Sequence, residues 1–287
     1  MSELRRLRLD LAYDGSAFHG WARQGNSGLR TVQLVLEDAL SLILRFPVQL
    51  TVAGRTDAGV HAHHQVAHFD IPQASLEQRS IEGDPTRLVR RLGKLLPNDL
   101  RVQAVTFAPE GFDARFSALR RHYEYRVTTF PAGALPTRVG DTATFNKPLD
   151  VELMQQAADI FLGLHDFAAL CKHRPEATTI RTLLSFQWEA ISTPSEPELF
   201  KAALSADAFC WSMVRSLMGA SFLIGSGKRP LSFAADLLTQ TERNTSVPVA
   251  PACGLALTGV DYPANEELAA RALATRARRE TTEVDDF

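Results

Sequence analysis

The most restrictive feature of this sequence is the way its apolar residues change period along the chain. Leu7, Leu9, Leu11 and Tyr13 alternate with Arg6, Arg8, Asp10 and Ala12, the two-residue repeat of a strand with one buried face. From Val32 the repeat becomes helical. Val32, Leu36, Ala39, Leu40, Ile43 and Leu44 fall on one stripe, and Thr31 stands where an N-cap belongs. Val48–Val52 and Gln65–Phe69 return to strand character, a helix is expected from Pro85 to Leu95, and Leu100–Phe107 reads as a strand again. The order strand, helix, strand, strand, helix, strand favours an α+β domain built on a mainly antiparallel sheet.

The alternation continues beyond Pro109-Glu110-Gly111, the expected junction. Tyr123, Tyr125 and Val127 share one face of a strand. Asp150 is placed to cap a helix whose stripe is Leu153, Met154, Ala157, Ile160, Phe161 and Leu164. Further strands are expected at Thr182–Ile191, Leu199–Ala206 and Leu255–Val260, and helices at Ser212–Leu223 and Phe233–Thr239. The chain of 287 residues suits two modest domains, 1–108 and 109–263, followed by a charged tail at 264–287.

Composition narrows the class. Apolar residues make up 45% and charged residues 22%, ordinary values for a globular protein. No run approaches the roughly 18 apolar residues of a membrane span, and the charged N-terminus does not read as a signal peptide. Cys171, Cys210 and Cys253 are far apart, which points to neither a disulfide framework nor a zinc site. A cytoplasmic protein without a membrane association is therefore expected. The formal net charge of −2 means that a polyanionic ligand would require locally gathered cations. Arg5, Arg6 and Arg8, then Arg87, Arg90, Arg91 and Lys94, then Arg115, Arg120 and Arg121, then Lys172 and Arg174, then Lys228 and Arg229 are the candidate clusters. Each alone also fits a solvated face.

The chemistry-bearing stretch is Ala53-Gly-Arg-Thr-Asp-Ala-Gly-Val-His61, between two expected strands. Gly54 and Gly59 allow a sharp turn with positive φ, and Asp57 would then stand at the apex of a rigidly mounted loop. A turn whose Asp and Thr bond only their own backbone fits the same residues. His61, His63, His64 and His68 with Asp70 do not make a convincing metal set. Gly225-Ser-Gly-Lys228 lacks the glycine and hydroxyl positions of a phosphate loop.

Gly54-Arg-Thr-Asp-x-Gly-Val-His-Ala62 resembles the signature of the TruA-type tRNA pseudouridine synthases. The resemblance recurs along nearly the whole chain. It includes Tyr13-Asp-Gly15 with Gly20-Trp21, Gln65-Val-Ala-His-Phe69, Leu96-Pro-Asn-Asp99, Phe112-Asp-Ala-Arg-Phe-Ser-Ala118, Arg121-x-Tyr123-x-Tyr125, Met213-Val-Arg215 and Ala250-Pro-Ala252. His64 and Gly93-Lys94 depart from the family pattern. The resemblance implies two ferredoxin-like, RRM-like α+β subdomains with mainly antiparallel sheets joined across a central catalytic cleft, acting as a homodimer on tRNA without a cofactor. It also implies catalytic roles for Asp57, Tyr123 and Arg215, with Arg215 pairing the aspartate and Tyr123 stacking on the extruded uracil. Tyr123 and Tyr125 both also fit plain core positions. Arg55, His61, Arg115, Arg87, Arg90 and Arg91 are candidates for contact with RNA, and no metal is expected. The target implied is a uridine on the 3′ side of the anticodon stem and loop. Another RNA site, or an inactive RNA-binding module, are the alternatives. Whether Asp57 attacks carbon or removes a proton is left open by the sequence.

Overall fold

The computed structural model describes residues 4–25, 28–172 and 178–276. Arg174 and residues 277–287 of the charged tail lie outside the described residues. In chain order the elements are β1 (Leu4–Tyr13), α1 (Val32–Leu44), β2 (Thr51–Val52), β3 (His61–Pro72), α2 (Arg87–Leu95), β4 (Leu100–Phe107), β5 (Arg120–Thr128), β6 (Ala143–Thr144), α3 (Val151–Ile160), β7 (Gly163–Asp166), β8 (Ile180–Ala190), β9 (Leu199–Ala206), α4 (Met213–Gly225), α5 (Ser232–Leu238), β10 (Leu255–Asp261) and α6 (Leu268–Arg276). The protein is α+β, with mostly antiparallel strand pairing; β5 and β6 pair in parallel. Among the described residues no helix is long and apolar enough to cross a membrane.

The chain forms two compact units, one drawn from Met1–Leu119 and Leu257–Ala277, the other from Arg120–Ala256. In the first, the strand order β4-β1-β3-β2 is that of a split βαβ sheet. Leu7, Leu9, Leu11, Leu36, Leu40, Leu88 and Leu92 are all fully buried, each contributing about 2 kcal/mol relative to exposure. Thr31 caps α1 by accepting from Leu34 N–H at 3.3 Å. Residues 109–119 belong to this unit because they are bonded into it. Ala114 N–H donates to His68 Nδ1 at 3.0 Å, Ser117 Oγ to the Leu268 carbonyl at 3.1 Å, and Leu119 N–H to the Asp261 carbonyl at 2.8 Å.

The expected strand at Val48–Val52 shrinks to two residues for a visible reason. The amide of Val48 is taken by Ser41 Oγ, and that of Leu50 by the buried Glu37 carboxylate, each at 2.9 Å. Side chains of α1 thus replace the ladder there. The strand expected at Gln65–Phe69 instead extends over the whole of β3, opposite the length of β1. The register slips between Leu11 and Tyr13, a bulge that breaks the alternation of the histidines. His61 is buried while His63 is exposed, so the two do not share a face.

In the second unit the sheet runs β5-β9-β8-β7, with β6 beside β5. Asp150 caps α3 through bonds from the Glu152 and Leu153 amides at 2.9 and 3.0 Å. The helix stops before Leu164, although the apolar stripe includes it. Gly163, at φ 107°, turns the chain into β7, and Leu164 becomes a strand residue. The cysteines also depart from expectation: Cys171 and Cys210 are joined in a disulfide with Cα atoms 5.9 Å apart. Their 39-residue separation hides the pairing in the sequence. In the fold, the turn after β7 and the turn before α4 lie side by side, and Lys172 N–H donates to the Trp211 carbonyl at 2.9 Å.

One buried histidine makes the first unit sensitive to acid. Burial and the Arg6 guanidinium push His68 down to about 4 from 6.5, against the opposing pull of Asp113 and Asp70. Its Nδ1 must stay unprotonated to accept the Ala114 amide. The unfolded chain therefore takes up this proton first, and the stability held by neutral His68 is complete above about 6.5 and declines as pH falls towards 4. His68→Asn keeps an acceptor without the titration. Thermal midpoints of the wild type should drop more steeply than those of the variant between pH 6.5 and 4, and parallel curves would refute this role for His68.

Candidate active site

The loop Ala53–Val60 is held from three sides, all within the first unit. On the strand side, Ala53 N–H donates to the Val66 carbonyl at 2.9 Å, and Gln65 Nε2 donates to the Gly54 carbonyl at 2.7 Å. From the segment after β1, Trp21 N–H reaches the Thr56 carbonyl at 3.0 Å, and Gly59 N–H the Phe18 carbonyl at 3.3 Å. Beneath the loop, the hydroxyls of Tyr13 and Thr56 are 2.8 Å apart. Burial pushes the Tyr13 phenol up to about 12, so it stays neutral. Asp57 stands in the middle of this bracket, half-buried, with Arg55 exposed beside it.

Two glycines outside the loop make the bracket possible. A Cβ on Gly15 would lie 2.0 Å from the Val60 carbonyl oxygen. One on Gly20, at φ +86°, would lie 2.9 Å from the Thr56 carbonyl oxygen. Within the loop only Gly59 has the positive φ expected of both glycines, at 78°. Nothing would lie within 4 Å of a Cβ on Gly54. His61 is 5% exposed, and its Nδ1 accepts from the Gly15 amide at 3.0 Å. Asp14 lies 3.1 Å from the same nitrogen. Burial opposes ionisation of Asp14, yet its bonds from Ser16 and the nearby His61 hold the carboxyl below the ordinary range.

In the second unit Tyr123 lies on β5, 7% exposed, with the Phe209 ring edge-on to it at 5.2 Å and 87°. Tyr125 is fully buried, and its hydroxyl donates to the Pro251 carbonyl at 3.0 Å. Arg215 occupies the first turn of α4. Every other residue of that helix is buried. Arg215 Nε donates to the Ala250 carbonyl at 2.7 Å, and the Ala250 amide returns a bond to the Arg215 carbonyl at 3.0 Å. This reciprocal pair fixes both the backbone and the guanidinium plane. A Cβ on Gly219 would lie 1.8 Å from the Pro248 carbonyl oxygen, so α4 and residues 248–250 are in backbone contact.

The expected RNA-facing cations differ in how far they are already committed. Arg87 pairs with Glu82 at 2.6 Å and lies 3.9 Å from Asp84. Arg91 donates to Ser80 Oγ at 2.5 Å. Arg90 is exposed on the same helix. Arg115 is exposed, its guanidinium 4.9 Å from the centre of the Phe116 ring.

A family model described as tRNA pseudouridine synthase matches residues 157–263. A Corynebacterium glutamicum protein named tRNA pseudouridine synthase A is 65% identical over 96% of this chain and 95% of its own length. Proteins of that name from Mycobacterium leprae and Frankia casuarinae are 48% and 50% identical, covering 97% and 96% of each chain respectively. The chain belongs to the tRNA pseudouridine synthase A family. It is an isomerase, and the family's reaction rearranges uridine in tRNA without net oxidation or hydrolysis.

Thr56, Tyr13 and Gln65, which hold the loop, were visible only as motif letters without assigned tasks. The Ala250 carbonyl that orients Arg215 is a main-chain atom and leaves no side-chain signal. Gly15→Ala should test the bracket. It forces Cβ against backbone that cannot turn away, so a loss of about 1–3 kcal/mol is expected, together with lower turnover. Gly54→Ala, with open space around it, should leave the unfolding midpoint almost unchanged. Equal midpoints for the two variants would remove the close approach from the explanation.

Proposed function

We propose that this protein converts uridine to pseudouridine on the 3′ side of the anticodon stem and loop of tRNA, with Asp57 as its central catalytic residue. The observation that carries the proposal is the bracket around Asp57. Main-chain bonds on both sides fix one half-buried carboxylate in a chain of this family. The reaction breaks the bond from N1 to C1′, turns the base, forms the bond from C5 to C1′, and moves a proton from C5 to solvent while N1 regains one. Atoms and electrons balance without an added oxidant or energy donor.

In this reading Asp57 acts as an anion, as nucleophile or as base. Arg215, oriented through its Nε bond to Ala250, is a second catalytic residue, its planar fork suited to a carboxylate or phosphate. Tyr123 lies against the target base with Phe209 supporting its ring. His61, buried beneath the loop, serves by holding Gly15, whereas Arg55, Arg115, Arg87, Arg90 and Arg91 face RNA. The protein works in the cytoplasm as a homodimer.

Asp57→Asn should abolish tritium release from tRNA labelled at uridine C5 while tRNA binding persists. Arg215→Lys should recover little, because an ammonium does not reproduce the planar fork. Appreciable turnover by Asp57→Asn would sink the assignment. Position is checked by mapping pseudouridine in tRNA after incubation with the enzyme; product confined to other positions would overturn the anticodon assignment.

The cations give a graded expectation. Arg90→Ala should lower the salt slope of tRNA binding by about one unit for each phosphate that Arg90 neutralises. Arg87→Ala should lower it less, because Glu82 already neutralises that charge. A larger effect at Arg87, measured by binding over a range of salt, would contradict this ordering.

A further inference from the structure

We propose that Trp211 and Lys172 form a stacking platform for an unpaired nucleobase of the RNA, beside the base that Tyr123 faces. The proposal rests on the RNA-modifying reading above. Trp211 is 48% exposed, whereas the other two tryptophans, Trp21 and Trp188, are 1% and 7% exposed. Leaving an indole in water forgoes burial energy that the rest of this core collects. The Lys172 ammonium lies over the ring, 5.0 Å from its centre, so a cation is at hand for the phosphate of a nucleotide bound there.

The platform is mounted, not loose. The Cys171–Cys210 disulfide and the bond from Lys172 N–H to the Trp211 carbonyl join its two residues to each other's turns. A backbone held this way loses little conformational freedom when the ring it carries takes up a ligand. Phe209, two residues earlier, touches Tyr123 edge-on. Two residues of chain span at most about 7 Å, so the backbone carrying the exposed indole is close to the backbone carrying Phe209. An exposed aromatic ring with a nearby cation is the chemistry that binds single-stranded nucleic acid by base stacking and phosphate neutralisation. A nucleotide next to the target, unpaired when the target is extruded, has that complementary form.

The test uses the full-length protein and an unmodified tRNA transcript. Trp211→Ala should weaken binding and raise KM about ten-fold, the scale of removing one base–aromatic stack, with kcat nearly unchanged. Trp211→Phe should restore most of the binding. Lys172→Ala should lower the salt slope by about one unit, which Trp211→Ala should not do. Trp21 and Trp188 are buried, so contact quenching by RNA falls on Trp211, and the difference between wild type and Trp211→Phe isolates it. The transcript should quench the wild type and leave Trp211→Phe unquenched. Wild-type KM in Trp211→Ala, or the same quench in Trp211→Phe, would overturn the platform. Tritium release by the wild type tests the parent reading separately. Quenching without tritium release would leave the platform standing and remove the reaction, whereas release without quenching would remove the platform alone.

Discussion

Everything about the Asp57 loop depends on how closely two stretches of main chain approach each other. Gly15 lies against the Val60 carbonyl at a distance that no β-carbon could tolerate. That approach lets the segment after β1 bond the loop through Trp21 and Gly59. The loop is therefore positioned largely by backbone atoms, which have few alternative conformations, with Gln65 and Tyr13 adding side-chain bonds beneath it. A loop mounted this way has little freedom left to lose on binding a ligand.

The second unit uses the same device for its arginine. The two bonds between Arg215 and Ala250, with Gly219 pressed on Pro248, tie α4 to the segment before β10 through main-chain contact. Tyr123 differs: it is set by strand register, with Leu204 opposite on β9 and Phe209 at its edge. A guanidinium is costly to remove from water, and the carbonyl it meets offsets part of that cost while choosing its direction.

Much of this is legible in the sequence because period and caps are local. The stripe of α1 is buried residue for residue, and Thr31 and Asp150 cap the helices they precede. What stays hidden is non-local. The Cys171–Cys210 pair depends on two turns that meet only in the folded chain. The shortened β2 depends on Glu37 and Ser41 competing for its amides. The slip opposite Leu11 decides which histidine is buried. At the site, the motif letters mark Asp57 as important, but the atoms that hold its loop and orient Arg215 are largely carbonyls and amides, which every residue carries.

Helix α4 has one more implication. With every residue except Arg215 buried, it is a hydrophobic segment that water cannot accommodate on any side. It also comes late in the chain, after β5, β8 and β9. A ribosome therefore releases the sheet strands before the helix, and this buried segment emerges when those strands have already been made. The order of elements along the polypeptide thus favours safe biosynthesis as well as placing an arginine.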